Sequence, residues 1–169
     1  MSDTDMTAWE AAEAAEYFSA SEWPGEVLSW MHPRVIRLVA RWREGAGVPI
    51  FPSPVERAHV RHEASGSRHS TRNGERLSDA TDVFLSWDGF WPALAVLEQE
   101  SEAGGIGLYT DMLYRGDAPG AWVMVHVDTR PERLKWVAYR DSESEPLVYV
   151  YEADEPQRYH RILAERGKS

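Results

Sequence analysis

Three polar side chains from widely separated stretches are of the types that grip a divalent cation: His69, Asp82 and His126. Two imidazoles and one carboxylate make a three-ligand zinc site with its fourth position left open. His126 sits in Trp122-Val-Met-Val-His-Val-Asp-Thr-Arg130, where Met124, His126 and Asp128 alternate with Val123, Val125 and Val127. That two-residue period belongs to a half-buried strand, so His126 and Asp128 point the same way. His69 closes Ser67-Arg-His69, and Asp82 closes Ser78-Asp-Ala-Thr-Asp82. The chain has no cysteine, which excludes disulfides and thiolate ligands and leaves any metal to His, Asp or Glu.

The same stretches resemble the blocks of the peptidase M15 family, the zinc D-Ala-D-Ala carboxypeptidases and phage endolysin-type peptidases (M15A-like C-terminal domain). Those blocks run Ser-x-His-x-x-Gly-x-Ala-x-Asp, then Gly-x-Gly-x-Tyr, then His-Val-Asp-x-Arg. Here they read Ser67-Arg-His69 with Ser78-Asp79-Ala80-Thr81-Asp82, Gly105-Ile-Gly107-Leu-Tyr109, and His126-Val-Asp128-Thr-Arg130, with Trp136 beyond. The first block departs from the pattern: eight residues, 70–77, separate His69 from Ser78, which stands in the glycine position. The resemblance covers about residues 18–136 of a chain expected to form one domain over 1–169.

The resemblance implies an α+β fold, a small and mainly antiparallel sheet flanked by helices, Hedgehog/DD-peptidase-like. It implies Zn2+ on His69, Asp82 and His126, and hydrolysis of a peptidoglycan stem-peptide bond, of D-Ala-D-Ala carboxypeptidase or L-Ala-D-Glu endopeptidase type. Phage or prophage lysins have this character. In relatives an arginine faces the substrate, and Arg57 fits that role, with Arg61 as competitor; a guanidinium there pairs a terminal carboxylate or an oxyanion. Asp128 is expected to orient His126 or another site residue, or to bridge to Arg130 or Arg133. Many relatives carry an acid three residues before the last histidine as general base. That position is Val123, so the base falls to Asp128, Asp117, Glu102 or the long loop. The rival expectations are an inactive metal-holding module that binds cell wall or protein, and a phage structural protein on the same fold. His59 and His62 also lie in the loop; neither is set in Ser-x-His, and both are read as rim residues.

Composition narrows the partners. The formal charge of −10, with no basic cluster beyond Arg34, Arg37, Arg41 and Arg43, argues against nucleic acid. Those arginines read as the solvated face of a helix. Eight tryptophans serve a core or a groove that grips an extended ligand. No secretory signal and no apolar run of membrane length is visible. The expectation is a monomer that starts in the cytoplasm and reaches the wall after release or on a phage particle.

The positioning elements follow from periodicity and punctuation. Residues 7–17 and 33–44 read as helices, the second stopped at Gly45-Ala-Gly47. Residues 48–51 read as a short strand, 59–78 as a polar loop with an Asn73-Gly74 turn, and 80–85 as a strand. Residues 91–102 and 156–166 read as helices. Gly104 to Tyr109 leads tightly into a strand; without a following Lys-Ser/Thr it is a poor phosphate loop. Residues 135–139 and 146–151 read as two strands paired as a hairpin.

Overall fold

The computed structural model describes residues 17–112, 114, 120–142 and 144–167. The helix expected over residues 7–17 falls, apart from Tyr17, outside the described residues, as does Asp117. Six strands form one sheet: β1 (Phe51–Pro52), β2 (Ala80–Ser86), β3 (Gly105–Tyr109), β4 (Trp122–Asp128), β5 (Leu134–Tyr139) and β6 (Val148–Tyr151). Their order is β1-β2-β4-β3-β5-β6, with β3 and β5 parallel and every other pair antiparallel. Three helices pack on it: α1 (Pro33–Ala46), α2 (Trp87–Leu97) and α3 (Pro156–Arg166). The protein is therefore α+β, with a mixed, mostly antiparallel sheet. No helix of the described residues is long and apolar enough to cross a membrane.

Alternation sorts the two faces of the sheet. Val83, Leu85, Ile106, Leu108, Val123, Val125, Val127, Val137 and Val150 point into one core with the helices. The Trp42 side chain of α1 is buried there and donates its indole N–H to Ala93 O at 2.6 Å. Helix α1 ends where Gly47 takes a φ of 63°, a left-handed cap that glycine adopts without strain.

Helix α2 starts four residues earlier than expected and stops at Leu97 rather than Glu102. Trp87, Phe90, Ala93, Leu94 and Leu97 make its buried stripe, and burying the first two outweighs the disfavoured Pro92 inside the helix. Past its end, the Arg133 guanidinium takes up the carbonyls of Glu98, Glu100 and Ala103 at 2.6–3.1 Å. Arg133 is thus a helix-end cap and not a partner of Asp128.

The opposite face carries the polar residues. Register aligns Asp82 with His126, His126 with Gly107, Gly107 with Trp136, and Trp136 with Tyr151, one row across five strands. A neighbouring row holds Ala80, Asp128, Gly105 and Leu134. On the other side lies an aromatic and thioether cluster of Phe84, Tyr114 and Met124, joined by Phe51, Tyr109, Met112 and Trp122. Asp82 and His126 face each other because the β2–β4 register leaves them no alternative.

Candidate metal centre

His69 Nε2, Asp82 Oδ1 and His126 Nδ1 form a triangle with edges of 3.0 Å between the imidazoles, 2.9 Å from Asp82 to His126 and 3.3 Å from Asp82 to His69. All three residues are buried. With ligand bonds of about 2.0–2.1 Å, a tetrahedral zinc places its donor atoms about 3.3 Å apart, so the triangle is close to the right size. The protonation chemistry points the same way. His126 Nδ1 carries at most one hydrogen, yet two acceptor-capable atoms crowd it, and a cation between them satisfies three lone pairs together. The buried triad can hold a metal ion.

Strands β2 and β4 place two of the donors, and a loop places the third. His69 N donates to Ser67 Oγ at 3.2 Å, and its carbonyl accepts from Arg61 N at 2.8 Å. Thr71 N returns to Arg61 O at 2.8 Å, while Arg76 grips the carbonyls of Ser70 and Ser67 at 2.8 and 3.0 Å. Arg68 anchors the segment to Asp79 at 2.9 Å. Ser78, in the glycine position of the expected motif, is fully buried and donates to His59 O at 2.6 Å.

Behind His126 stands Asp128, wholly buried. His126 Nε2 lies 3.0 Å from its Oδ2, on the side of the ring away from the donor triangle. The other Asp128 lone pairs accept from Gly105 N at 2.9 Å, Arg130 N at 3.0 Å and the Arg130 guanidinium. This carboxylate orients the imidazole, as acids behind metal-binding histidines do. Every lone pair is engaged, so it is no general base. His69 has no such support: its Nδ1 is buried without a hydrogen-bond partner among the described residues.

The Gly105-x-Gly107 spacing has a steric cause. A Cβ on Gly105 would lie 2.3 Å from Asp128 Oδ2, and one on Gly107 would lie 2.3 Å from the Trp136 ring. Trp136 in turn packs on His126, ring centroids 5.2 Å apart. Gly107→Ala is expected to push the indole onto His126 and destabilise the fold by about 1–3 kcal/mol. A lowered denaturation midpoint with altered near-ultraviolet tryptophan dichroism checks this; an unchanged midpoint contradicts it.

Electrostatics follow from the same contacts. Burial alone would lower the His126 pKa, but hydrogen bonds to Asp128 and Asp82, and their charges, outweigh it and raise it to about 9. Burial would raise Asp82, but His69 and His126 hold it below the usual carboxylate range. Asp128 is likewise held down, against burial, by His126 and Arg130. A metal must therefore displace a proton from His126. Below about pH 9 its apparent affinity should fall roughly tenfold per pH unit, with about one proton released per ion bound at pH 7. Titration calorimetry in two buffers of different ionisation enthalpy measures that proton; none released would refute the assignment.

The triad opens on a cleft of about 630 Å³. Phe84, Met124, Tyr109 and Tyr149 line it, together with Arg57, Arg61, Arg68 and Arg130. Compared with protein-family models, curated proteins and solved structures, the chain matched none of them.

The remaining expected residues have definite places. Arg57 lines the cleft from a 3₁₀ turn, Glu56–Ala58, but its exposed guanidinium pairs with Glu63 at 2.8 Å. Arg61 is tied through its main chain to the His69 carbonyl; its Nε donates to Arg57 O at 3.2 Å and no carboxylate pairs with it among the described residues. Glu102 lies on the helix side, paired with Arg41 and Arg34, out of the cleft. Val123 is buried in the helix-side core, so an acid there would face away from the triad.

His59 is not a rim residue. It is fully buried, edge-on to Trp23, with Nε2 donating to Ser53 O at 2.8 Å and Nδ1 accepting from Thr81 Oγ1 at 2.6 Å. Burial pushes it down to about 4, and it serves as a neutral core histidine. His62 is exposed and packs against Trp30. The short-range sequence carries no signal for His59, because its partners come from two other segments.

Proposed function

We propose that this chain is a zinc-dependent peptidase acting on peptidoglycan stem peptides. The observation that carries the reading is the convergence of three buried nitrogen and oxygen donors on one point at the floor of an open cleft. The donor set, two imidazoles and a carboxylate without sulfur, suits zinc. Bound there, zinc would lower the pKa of a water in its open position to about 7 and polarise a substrate carbonyl.

The chain's own residues divide the remaining work. Asp128 holds His126 in one tautomer, with Nδ1 turned to the cation and Nε2–H kept behind. Arg61, which lines the cleft without a salt bridge among the described residues, is placed to pair a substrate carboxylate. Tyr109, raised above the usual phenol range by burial, keeps its proton near neutral pH and can donate a hydrogen bond but not act as base.

One observation favours a second reading, a metal-holding binding module without catalysis. Among the described residues that line the cleft, the only carboxylate is the ligand Asp82. Metal analysis of the purified protein, followed by mass spectrometry of stem peptides incubated with the zinc-loaded and chelator-treated forms, separates the two. Chelator-sensitive release of a shortened peptide supports the peptidase. Bound zinc with no cleavage supports the module, and iron in place of zinc moves the site to the iron(II) chemistry that two histidines and one carboxylate also serve.

A further inference from the structure

A second cleft, of about 480 Å³, adjoins the first, and Arg57 and Arg61 line both. Its volume falls within the range of about 300–1,000 Å³ usual for small-molecule sites. Two short 3₁₀ turns build its walls: Val27–Trp30 on one side and Glu56–Ala58 on the other. The first is fixed by Val27 and Leu28, buried in the core, and by Ser78 N, which donates to Trp30 O at 2.8 Å.

The Trp30 indole stands on this rim, 37% exposed, and meets His62 edge to face at 5.1 Å. Opposite, the Glu56 carboxylate lies directly over Gly25. A Cβ at Gly25 would come within 2.1 Å of Glu56 Oε1, and its φ of +53° suits glycine. Glu26 and Glu56 have neither ion pair nor side-chain hydrogen bond among the described residues. Three carboxylates (Glu26, Glu56 and Glu63) and two guanidiniums (Arg57 and Arg61) line the cleft, and Arg57 with Glu63 already forms a pair. No single charge sign dominates, so neither a strongly anionic nor a strongly cationic ligand is favoured.

A wall that offers acceptors, donors and a partly exposed indole suits a neutral ligand dense in hydroxyl and amide groups with one apolar face. A pyranose has that surface: its hydroxyls donate to carboxylates and accept from guanidiniums, while its C–H face packs on an indole. We propose that the second cleft is a saccharide subsite, which takes the glycan end of a substrate whose peptide end reaches the metal triad. The proposal rests on the peptidase reading for the identity of the substrate, and on Trp30, Glu26 and Glu56 for the subsite itself.

The test titrates the N-acetylglucosamine trisaccharide into the full chain and follows binding by calorimetry. Binding is expected for the wild type, with about tenfold loss in Trp30→Ala and in Glu56→Gln, each checked for an unchanged melting midpoint. Both residues are partly or fully exposed, and Glu56→Gln leaves packing intact. Zinc-loaded protein should also cleave glycan-linked stem peptides with a higher kcat/KM than free ones, an advantage lost in Trp30→Ala. No trisaccharide binding, or binding indifferent to both substitutions, overturns the subsite even if free peptide is cleaved. Trp30-dependent binding without cleavage of either substrate upholds the subsite and removes the peptidase.

Discussion

His126→Ala should strip the site of its metal and unsettle the fold together. A four-ligand zinc site is worth about 10–16 kcal/mol, so loss of one of three protein donors should weaken binding by about 10²-fold or more. The folding penalty has a separate origin. His126 is the shared partner of two buried carboxylates, and its removal leaves Asp82 with His69 alone and Asp128 with Arg130 and Gly105 N, beside a cavity. Breaking a buried pair from one side costs up to about 3–5 kcal/mol, and the partners that remain place the loss at the lower end. Metal content and chemical denaturation in chelator read the two effects independently. A variant that keeps stoichiometric metal would place the ion elsewhere.

Asp128→Asn should separate orientation from ligation. It preserves shape while removing the charge behind His126 and from the Arg130 pair. Metal affinity is expected to drop about 10–100-fold, the usual effect of losing an acid behind a ligating imidazole. The pH profile should move as well. Without Asp128 the imidazole loses its chief hydrogen-bond support for the proton, so its pKa falls from about 9 and affinity reaches its plateau at lower pH. Chelator competition between about pH 6 and 9 measures both. Wild-type affinity with a wild-type profile would reduce Asp128 to a structural salt bridge.

The metal-free protein carries a matching stability signature. The raised His126 pKa contributes stability fully present below the unfolded value of about 6.5 and lost as pH rises through about 9, roughly 3 kcal/mol in all. The depressed Asp82 and Asp128 contribute stability present above about 3.9 and lost as pH falls. Denaturant midpoints of the apoprotein should therefore peak near about pH 5–6. A flat profile from pH 6 to 9 would contradict the paired state of His126.

What could be read in advance was whatever depends on local period. The alternation of residues 122–128 placed His126 and Asp128 on one face, and the apolar stripe of residues 33–44 marked α1. The His69, Asp82 and His126 set was nameable because His69 and Asp82 sit in short polar blocks and His126 on the polar face of an alternating strand. Long-range effects were not legible. Residue 87 begins a helix only because Trp87 and Phe90 find a core to fill. His59 looks like a loop histidine until Thr81 and Ser53 close on it. Arg57 and Arg61 both line the cleft, but the exposed Arg57–Glu63 pair, six residues apart, was not legible. Gly105 and Gly107 read as a tight entry to a strand, but the steric reason for them appears only when Asp128 and Trp136 arrive from later strands.

The ligands come as two from the sheet and one from outside it. Asp82 and His126 are locked by a seven-residue ladder of paired strands, whereas His69 arrives on a covering segment held by a few main-chain bonds to Arg61 and by side-chain ties. An ion at the triad would act as a clasp between lid and floor. Withdrawing it should loosen the segment that contains Arg68, Arg72 and Arg76 long before the sheet gives way. Trypsin should then nick the apoprotein there while the ion-bound form resists, so that loading the site also decides how long the chain survives among proteases.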